Sequence, residues 1–142
     1  MSIYLDASFL IPTLVEEPVS AAVKAYLATR PDRLISDFGA AEVASALSRL
    51  VRTGLLTAAE GAARLADFDA WRAATSSPAD VHAADLRLAY AYVRRFDLAL
   101  RAPDALHLAI AHRLNATLVT LDGRLERAAG QLGIAVEVPE TT

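Results

Sequence analysis

The stretch of residues 101–124, RAPDALHLAIAHRLNATLVTLDGR, limits the possible folds more than any other part of the sequence. Pro103 suits the first position of a helix, because the N–H group that proline lacks would have no partner there. Asn115 fits a left-handed helix stop, and residues 116–121 then read as a buried strand that ends at Asp122. A helix that leads directly into such a strand is typical of α/β proteins.

Short apolar strands alternate with helices along the rest of the chain. Residues 3–5, 34–36 and 134–138 have the composition of buried strands, and residues 79–81 form a weaker candidate. Helical periodicity occupies the segments between these strands. The alternation predicts a parallel sheet covered by helices on both faces, with the carboxyl ends of all strands at one edge.

Length and composition exclude several classes of protein. The 142 residues predict a single domain at 1–138, followed by a tail at 139–142. There is no cysteine, which excludes disulfides and thiolate metal sites. No apolar run is long enough to cross a membrane and a strand begins at once, so we expect a cytoplasmic protein without a signal peptide. A net charge of −3 argues weakly against a nucleic-acid coat protein; the thirteen arginines beside a single lysine fit either compositional bias or phosphate contacts.

The predicted topology brings four acidic residues towards one edge of the sheet. Asp6 and Asp122 each follow a strand, and the carboxyl ends of parallel strands are where open α/β sheets bind ligands. Asp104 lies in the first turn of the helix that residues 101–124 contain, and this helix starts near the same edge. Glu42 lies in the second turn of the helix that follows residues 34–36, within reach of that edge.

Acids that converge in this way repel one another unless a cation is bound. Oxygen ligands without cysteine select a hard divalent ion, Mg²⁺ or its substitute Mn²⁺, over Zn²⁺. An acidic pocket with such ions is suited to phosphodiester hydrolysis, in which metals activate water and support the leaving oxygen. Each acid also has a simpler interpretation: Asp6 and Asp122 as turn formers or caps, Asp104 as a helix-dipole partner, and Glu42 as a solvent-facing residue.

Four segments of the sequence resemble the acidic motifs of PIN-domain nucleases, in particular the VapC toxins of type II toxin–antitoxin modules. They are IYLDASFLI around Asp6, AAEVASAL around Glu42, LRAPDALHLAIA around Asp104 and TLVTLDGRL around Asp122. The resemblance covers nearly the whole chain. It implies an α/β/α sandwich with a short central parallel sheet and a protruding helical hairpin, here residues 40–51 and 57–71.

The resemblance also implies an Mg²⁺-dependent endoribonuclease with a role for each acid. Asp6 and Asp104 would be the main metal ligands, and Asp122 would complete the site directly or through water. Glu42 would bind a second metal or position water. Some PIN domains have a further acid soon after the last Asp, where this chain has Gly123-Arg124, so Arg124 is a candidate phosphate contact.

Other residues near these acids have two interpretations each. Ser8 and Thr120 match hydroxyl positions that support the metal ligands, or serve as a helix cap and as a strand former. Arg101 is a candidate for an RNA-facing rim or a solvated residue. His107, three residues after Asp104, either orients the Asp104 carboxylate or is an ordinary helix-surface histidine.

The implied partners are an RNA substrate, a small antitoxin that covers the acidic cleft, and a second copy of the chain in a homodimer. Two other functions compete with this interpretation. An Asp-nucleophile phosphohydrolase would also place Asp6 after the first strand, but it needs a late lysine and the only lysine is Lys24. A non-catalytic PIN-like interaction module would not need all of the acids that this chain retains.

Overall fold

The computed structural model describes residues 1–141 and contains five strands and seven α-helices in that range. The strands are β1 (Ile3–Leu5), β2 (Arg33–Ser36), β3 (Ser77–Ala79), β4 (Thr117–Val119) and β5 (Val136–Glu137). The helices are α1 (Ala7–Leu10), α2 (Ser20–Ala28), α3 (Asp37–Arg52), α4 (Ala58–Thr75), α5 (Ala83–Val93), α6 (Ala102–Arg113) and α7 (Gly123–Leu132). Short 3₁₀ turns occupy Ile11–Thr13 and Phe96–Leu98.

The strands form one parallel sheet in the order β3-β2-β1-β4-β5. The chain moves outwards from β1 to β2 and β3, then crosses back so that β4 lies on the other side of β1. The point where strand order reverses is therefore between β1 and β4, where Leu5 pairs with Val119. In sheets of this kind, a crevice opens at that point beyond the carboxyl ends of the strands.

Helices cover both faces of the sheet and enclose two apolar cores. Ile3 and Leu5 of β1 face one core, which also contains side chains from α1 to α4. Tyr4 faces the other core, which contains side chains from α5, α6 and α7. This alternation along β1 follows the period of two of a strand, and it confirms the predicted α/β/α sandwich.

Helices α3 and α4 pack against each other as the predicted hairpin. A capping box between Thr57 and Glu60 starts α4, as the Thr-x-x-Glu spacing predicts. Leu55, in the loop between the two helices, is one of the most exposed large apolar residues among those the structure describes.

Strands β3 and β5 differ from the sequence prediction. Strand β3 is Ser77–Ala79 rather than 79–81, because Pro78 is tolerated in a strand that pairs on one side only. Strand β5 has only two residues, Val136 and Glu137, within the predicted 134–138. Helix α1 ends at Leu10, and Pro12 lies in the 3₁₀ turn that follows it. Residue 142 of the predicted tail lies outside the described residues.

None of the helices within residues 1–141 combines the length and apolarity needed to span a membrane.

Candidate active site

Asp6 lies between the end of β1 and the start of α1, at the reversal point of the sheet, and its carboxylate is held by three donors. The Ser8 hydroxyl donates to Oδ1 at 2.7 Å, and the Phe9 amide donates to the same oxygen at 3.1 Å. The Thr120 hydroxyl donates to Oδ2 at 2.6 Å. Asp6 is thus the N-cap of α1, as the simpler interpretation of its position predicts, and is also part of a polar cluster.

The surroundings of Asp6 suit a bound cation. The residue is only 5% exposed, and the three donors that hold it are neutral hydroxyl and amide groups. Burial raises the pKa of Asp6 above its ordinary value, although the hydrogen bonds from Thr120 and Ser8 act in the opposite direction. A buried carboxylate with neutral partners favours a positive charge nearby, and its oxygen donors fit a hard divalent ion.

Two hydroxyl groups join the ends of β1 and β4. Thr120 is fully buried; its Oγ1 donates to Asp6 and accepts the Asp122 amide at 3.1 Å. The Ser8 hydroxyl accepts the Leu121 amide at 3.3 Å and lies 3.3 Å from Thr120 Oγ1. The structure therefore places both predicted supporting hydroxyls directly against the Asp6 carboxylate.

Asp122 lies beyond β4 and caps α7, with its Oδ1 accepting the Arg124 amide at 2.9 Å. The Arg124 guanidinium Nε is 3.8 Å from the same oxygen, and most of that side chain is exposed. The cap interpretation of Asp122 is correct in geometry. The exposed Arg124 guanidinium lies where a substrate phosphate could reach it from solvent.

Asp104 lies in the first turn of α6 beside the exposed side chain of Arg101. Their closest approach, from Asp104 Oδ2 to Arg101 Nε, is 3.5 Å. The carboxylate is thus near the positive end of the helix dipole and next to an exposed positive charge.

Glu42 of α3 forms a hydrogen bond through its Oε1 with His107 Nε2 of α6. The other ring nitrogen, His107 Nδ1, lies 2.6 Å from the Tyr4 hydroxyl. That hydroxyl lies 2.8 Å from Ser36 Oγ, which accepts the Gly39 amide at 2.9 Å as the N-cap of α3. Burial raises the pKa of Tyr4, so its hydroxyl stays protonated.

His107 is 3% exposed, so its interpretation as a helix-surface residue is wrong. The apolar pattern of α6 continues all round the helix, and this buries the histidine with it. The Tyr4 hydroxyl was not among the predicted site residues. A tyrosine at the centre of an apolar strand was the available signal, because a buried hydroxyl needs a partner.

The acids line the same edge without forming a closed cage. Asp6 and Asp122 are linked through Thr120, and Glu42 is linked to the helix that carries Asp104. Within residues 1–141, no three His, Asp or Glu side chains lie close enough to enclose one metal ion. The predicted convergence of all four acids on one ion is therefore not present in the described part of the chain.

Comparisons with known proteins agree with this architecture. The PIN domain family model matches residues 3–131. The chain is 36% identical over 141 residues to Ribonuclease VapC46 of Mycobacterium tuberculosis. The match covers 97% of this chain and 98% of that protein. The chain therefore belongs to the PIN-domain family and, within it, to the VapC toxins.

Solved structures share the fold at lower sequence identity. The crystal structure of VapC20 of Mycobacterium tuberculosis, a toxin that cleaves the sarcin–ricin loop, has a TM-score of 0.75 and 21% identity, and the match covers 98% of this chain and 100% of that one. VapBC2 of Rickettsia felis, bound to a fragment of its promoter DNA, has a TM-score of 0.71 and 14% identity, with coverage of 99% and 100%.

Proposed function

We propose that this protein is an Mg²⁺-dependent endoribonuclease and the toxin of a toxin–antitoxin module. The observation that carries the proposal is the buried Asp6 carboxylate, held by neutral donors at the point where strand order reverses. Family membership supports the same activity, since the curated relative is a ribonuclease. A divalent ion at this edge would activate water and stabilise negative charge on the phosphate.

Each acid has a distinct part in this proposal. Asp6 and Asp104 hold the ion, and Asp122 completes its surroundings directly or through water. Glu42 orients water or holds a second ion. The neutral donors on Asp6 fix the direction of its lone pairs, so that the carboxylate does not need to reorganise when the ion binds.

Two exposed arginines would bind the RNA backbone. Arg124 and Arg101 flank the acids and keep most of their side chains in solvent. A guanidinium matches phosphate oxygens with two parallel hydrogen bonds, so these residues would hold the phosphodiester while the acids act on it.

The test is cleavage of RNA by the purified chain with Mg²⁺, with Mn²⁺ and with EDTA. We expect cleavage with either ion and none with EDTA, and we expect Asp6→Asn and Asp104→Asn to abolish it while the circular dichroism spectrum stays the same. Metal-independent cleavage, or normal cleavage by either variant, would refute the assigned site. Hydrolysis of a phosphomonoester instead of RNA would favour the Asp-nucleophile phosphohydrolase.

The hydrogen bonds to both carboxylate oxygens of Asp6 argue against the Asp-nucleophile phosphohydrolase. Each accepts a hydrogen bond from a hydroxyl group, and such bonds stabilise the carboxylate and make it a poorer nucleophile. A non-catalytic interaction module remains the second alternative, and binding without cleavage would be its result in the same assay.

The antitoxin would cover the acids and would also contact an apolar groove on the side of the sheet that α2 and α4 cover. Helices α2 and α4 and the turn after α1 line a cavity with Leu14, Leu27 and Trp71, and Lys24 and Asp67 stand at its walls. This surface suits an amphipathic helix of a partner chain. Toxin–antitoxin complexes are among the solved structures with this fold, which supports a partner of that kind. Co-expression with any small protein encoded next to this chain should yield one complex. Size-exclusion chromatography with light scattering would also test the proposed homodimer.

A further inference from the structure

Four side chains form a hydrogen-bonded row from Ser36 through Tyr4 and His107 to Glu42, and only Glu42 has a part in the roles proposed above. The row crosses four elements, since Ser36 ends β2, Tyr4 lies in β1, His107 lies in α6 and Glu42 lies in α3. Its last member, Glu42, is the only one of the four with a substantial exposed fraction, about 30% of its side chain. The row therefore runs from the buried sheet outwards to the edge where the acids lie.

With Glu42 ionised and the His107 ring neutral, the donors and acceptors in this row have one consistent direction. An ionised Glu42 can only accept, so His107 Nε2 carries the proton towards it. In a neutral ring Nδ1 then accepts, and it takes the hydrogen bond from the Tyr4 hydroxyl. Tyr4 accepts in turn from Ser36, whose oxygen accepts the Gly39 amide. Every hydroxyl and ring N–H in the row is then used once.

Packing holds the His107 ring in this orientation. The rings of Tyr4 and Phe38 lie on it at tilted angles, with centroid distances of 5.5 Å and 5.1 Å. The first turn of α3 also lies close to the ring, since a Cβ added at Gly39 would be in ordinary van der Waals contact with Ser36 Oγ at 3.4 Å and His107 Cε1 at 3.7 Å. The ring is therefore held by two aromatic contacts as well as by its two nitrogens.

We propose that His107 is a positioning residue, which holds the Glu42 carboxylate at the strand edge through its Nε2–H, with Tyr4 and Ser36 fixing its tautomer. A free Glu side chain samples many rotamers, and ordering it costs entropy each time that substrate or ion binds. Here Oε1 is already engaged, which leaves Oε2 as the oxygen that faces water or the ion. The expected change in kcat rests on the proposed ribonuclease function, whereas the expected orientation and tautomer of His107 do not.

The first test reads the tautomer of His107 in the metal-free, RNA-free protein by ¹H–¹⁵N NMR of the imidazole nitrogens. We expect a protonated Nε2 and an unprotonated Nδ1 in the wild type, and loss of that preference in Tyr4→Phe, which removes one hydroxyl and keeps the ring. Protonation at Nδ1 with Nε2 free, or no change in Tyr4→Phe, would overturn the proposal whether or not the protein cleaves RNA.

The second test compares cleavage kinetics at saturating Mg²⁺. We expect His107→Leu to lower kcat about 10- to 100-fold, the usual range for a residue that supports a ligand, with KM within about 3-fold. His107→Gln keeps an N–H donor near the Nε2 position and should recover most of kcat. His112→Gln, an exposed histidine on the same helix, is the matched control and should cleave as the wild type does.

A double-mutant cycle separates positioning from general damage to the fold. If His107 acts through Glu42, adding His107→Leu to Glu42→Gln should lower kcat by less than about 2-fold further. Additive losses, or a thermal midpoint loss in His107→Leu that explains the lost activity, would overturn the proposal; Tyr4→Phe keeps it testable if His107→Leu does not fold. Normal cleavage by Glu42→Gln would remove both the assigned role of Glu42 and the positioning proposal, whereas the roles of Asp6 and Asp104 would stand.

Discussion

Replacing Thr120 by valine should remove one hydroxyl group and almost nothing else. The two side chains have nearly the same shape, and Thr120 is fully buried at the end of β4. The hydroxyl donates to Asp6 Oδ2 at 2.6 Å and accepts the Asp122 amide at 3.1 Å. The variant therefore leaves the buried Asp6 carboxylate with one donor fewer, and the amide of the helix-capping Asp122 loses its acceptor.

The expected loss of stability follows from these two contacts. A hydrogen bond to a charged group contributes about 1.5–3 kcal/mol, and the loss of the amide contact adds up to about 1 kcal/mol. Unfolding entropy for a chain of this length is about 0.3 kcal/mol per degree, so we expect the thermal midpoint to fall by roughly 5–13 °C at neutral pH. Thr117→Val on the same strand is the matched control, because the Thr117 hydroxyl lies at the surface beside the Met1 sulfur; it should cost less than about 0.5 kcal/mol.

The loss of stability in Thr120→Val should depend on pH. The Thr120 hydroxyl stabilises the ionised form of Asp6 and opposes the burial that raises the pKa of this carboxyl. Removing it raises that pKa further, so the loss should be largest at a pH where Asp6 is ionised. As pH falls through the raised pKa, the carboxyl is protonated in both proteins and the difference should shrink to about 1 kcal/mol, the contribution of a neutral hydrogen bond.

The measurement is thermal unfolding in EDTA by differential scanning calorimetry, from neutral pH down to the acid limit of reversible folding. EDTA excludes the stabilisation that a bound ion would add. A loss below about 0.5 kcal/mol at neutral pH, equal losses in Thr120→Val and Thr117→Val, or a loss that does not change with pH would refute this account of Asp6.

Three further perturbations test other parts of the structure. Burial raises the pKa of Asp85, but the Arg113 partner lowers it, and the net shift is a lowering. Asp85→Asn should therefore destabilise the fold by about 3 kcal/mol at neutral pH. The difference should disappear as pH falls through that lowered pKa, and acid titration followed by circular dichroism would measure this. Arg124→Ala should raise KM for RNA several-fold with little change in thermal midpoint, whereas Arg127→Ala, an exposed arginine one turn further along α7, should leave KM unchanged. Gly133→Ala should cost about 1 kcal/mol in urea unfolding because φ is +71° at this position, and Gly130→Ala, inside α7 with open space at its Cβ, should instead stabilise by about 0.5–1 kcal/mol.

Much of the fold could be predicted because its strong signals are local. Pro103 and Asn115 bound a helix whose apolar residues are all neighbours in sequence, and Asn115 does adopt a positive φ of 50°. The Thr57 capping box is a four-residue pattern with its own hydrogen bonds. Such features do not depend on distant parts of the chain, so periodicity and capping rules identify them correctly.

The site was only partly predictable because its contacts are long-range. The hydrogen bond between Tyr4 and His107 joins residues 103 positions apart, and no local pattern reports it. Ser36 is the N-cap of α3, a role for which serine is locally suited, but no local pattern shows that the same oxygen also meets Tyr4. The strand at Ser77–Ala79 was misplaced for a related reason, since only its edge position makes Pro78 acceptable there.

The pairing of β1 with β4 also determines when the site can form during synthesis of the chain. Asp6 is among the first residues to be made, yet the hydroxyl that completes its hydrogen bonds belongs to Thr120, 114 positions later. Contacts this distant in sequence form late, because the intervening chain must first be ordered. A growing or truncated chain that lacks β4 would carry Asp6 without its last donor. The acidic edge is thus assembled only after β4 and Thr120 have been made, and a copy truncated before them should be inert.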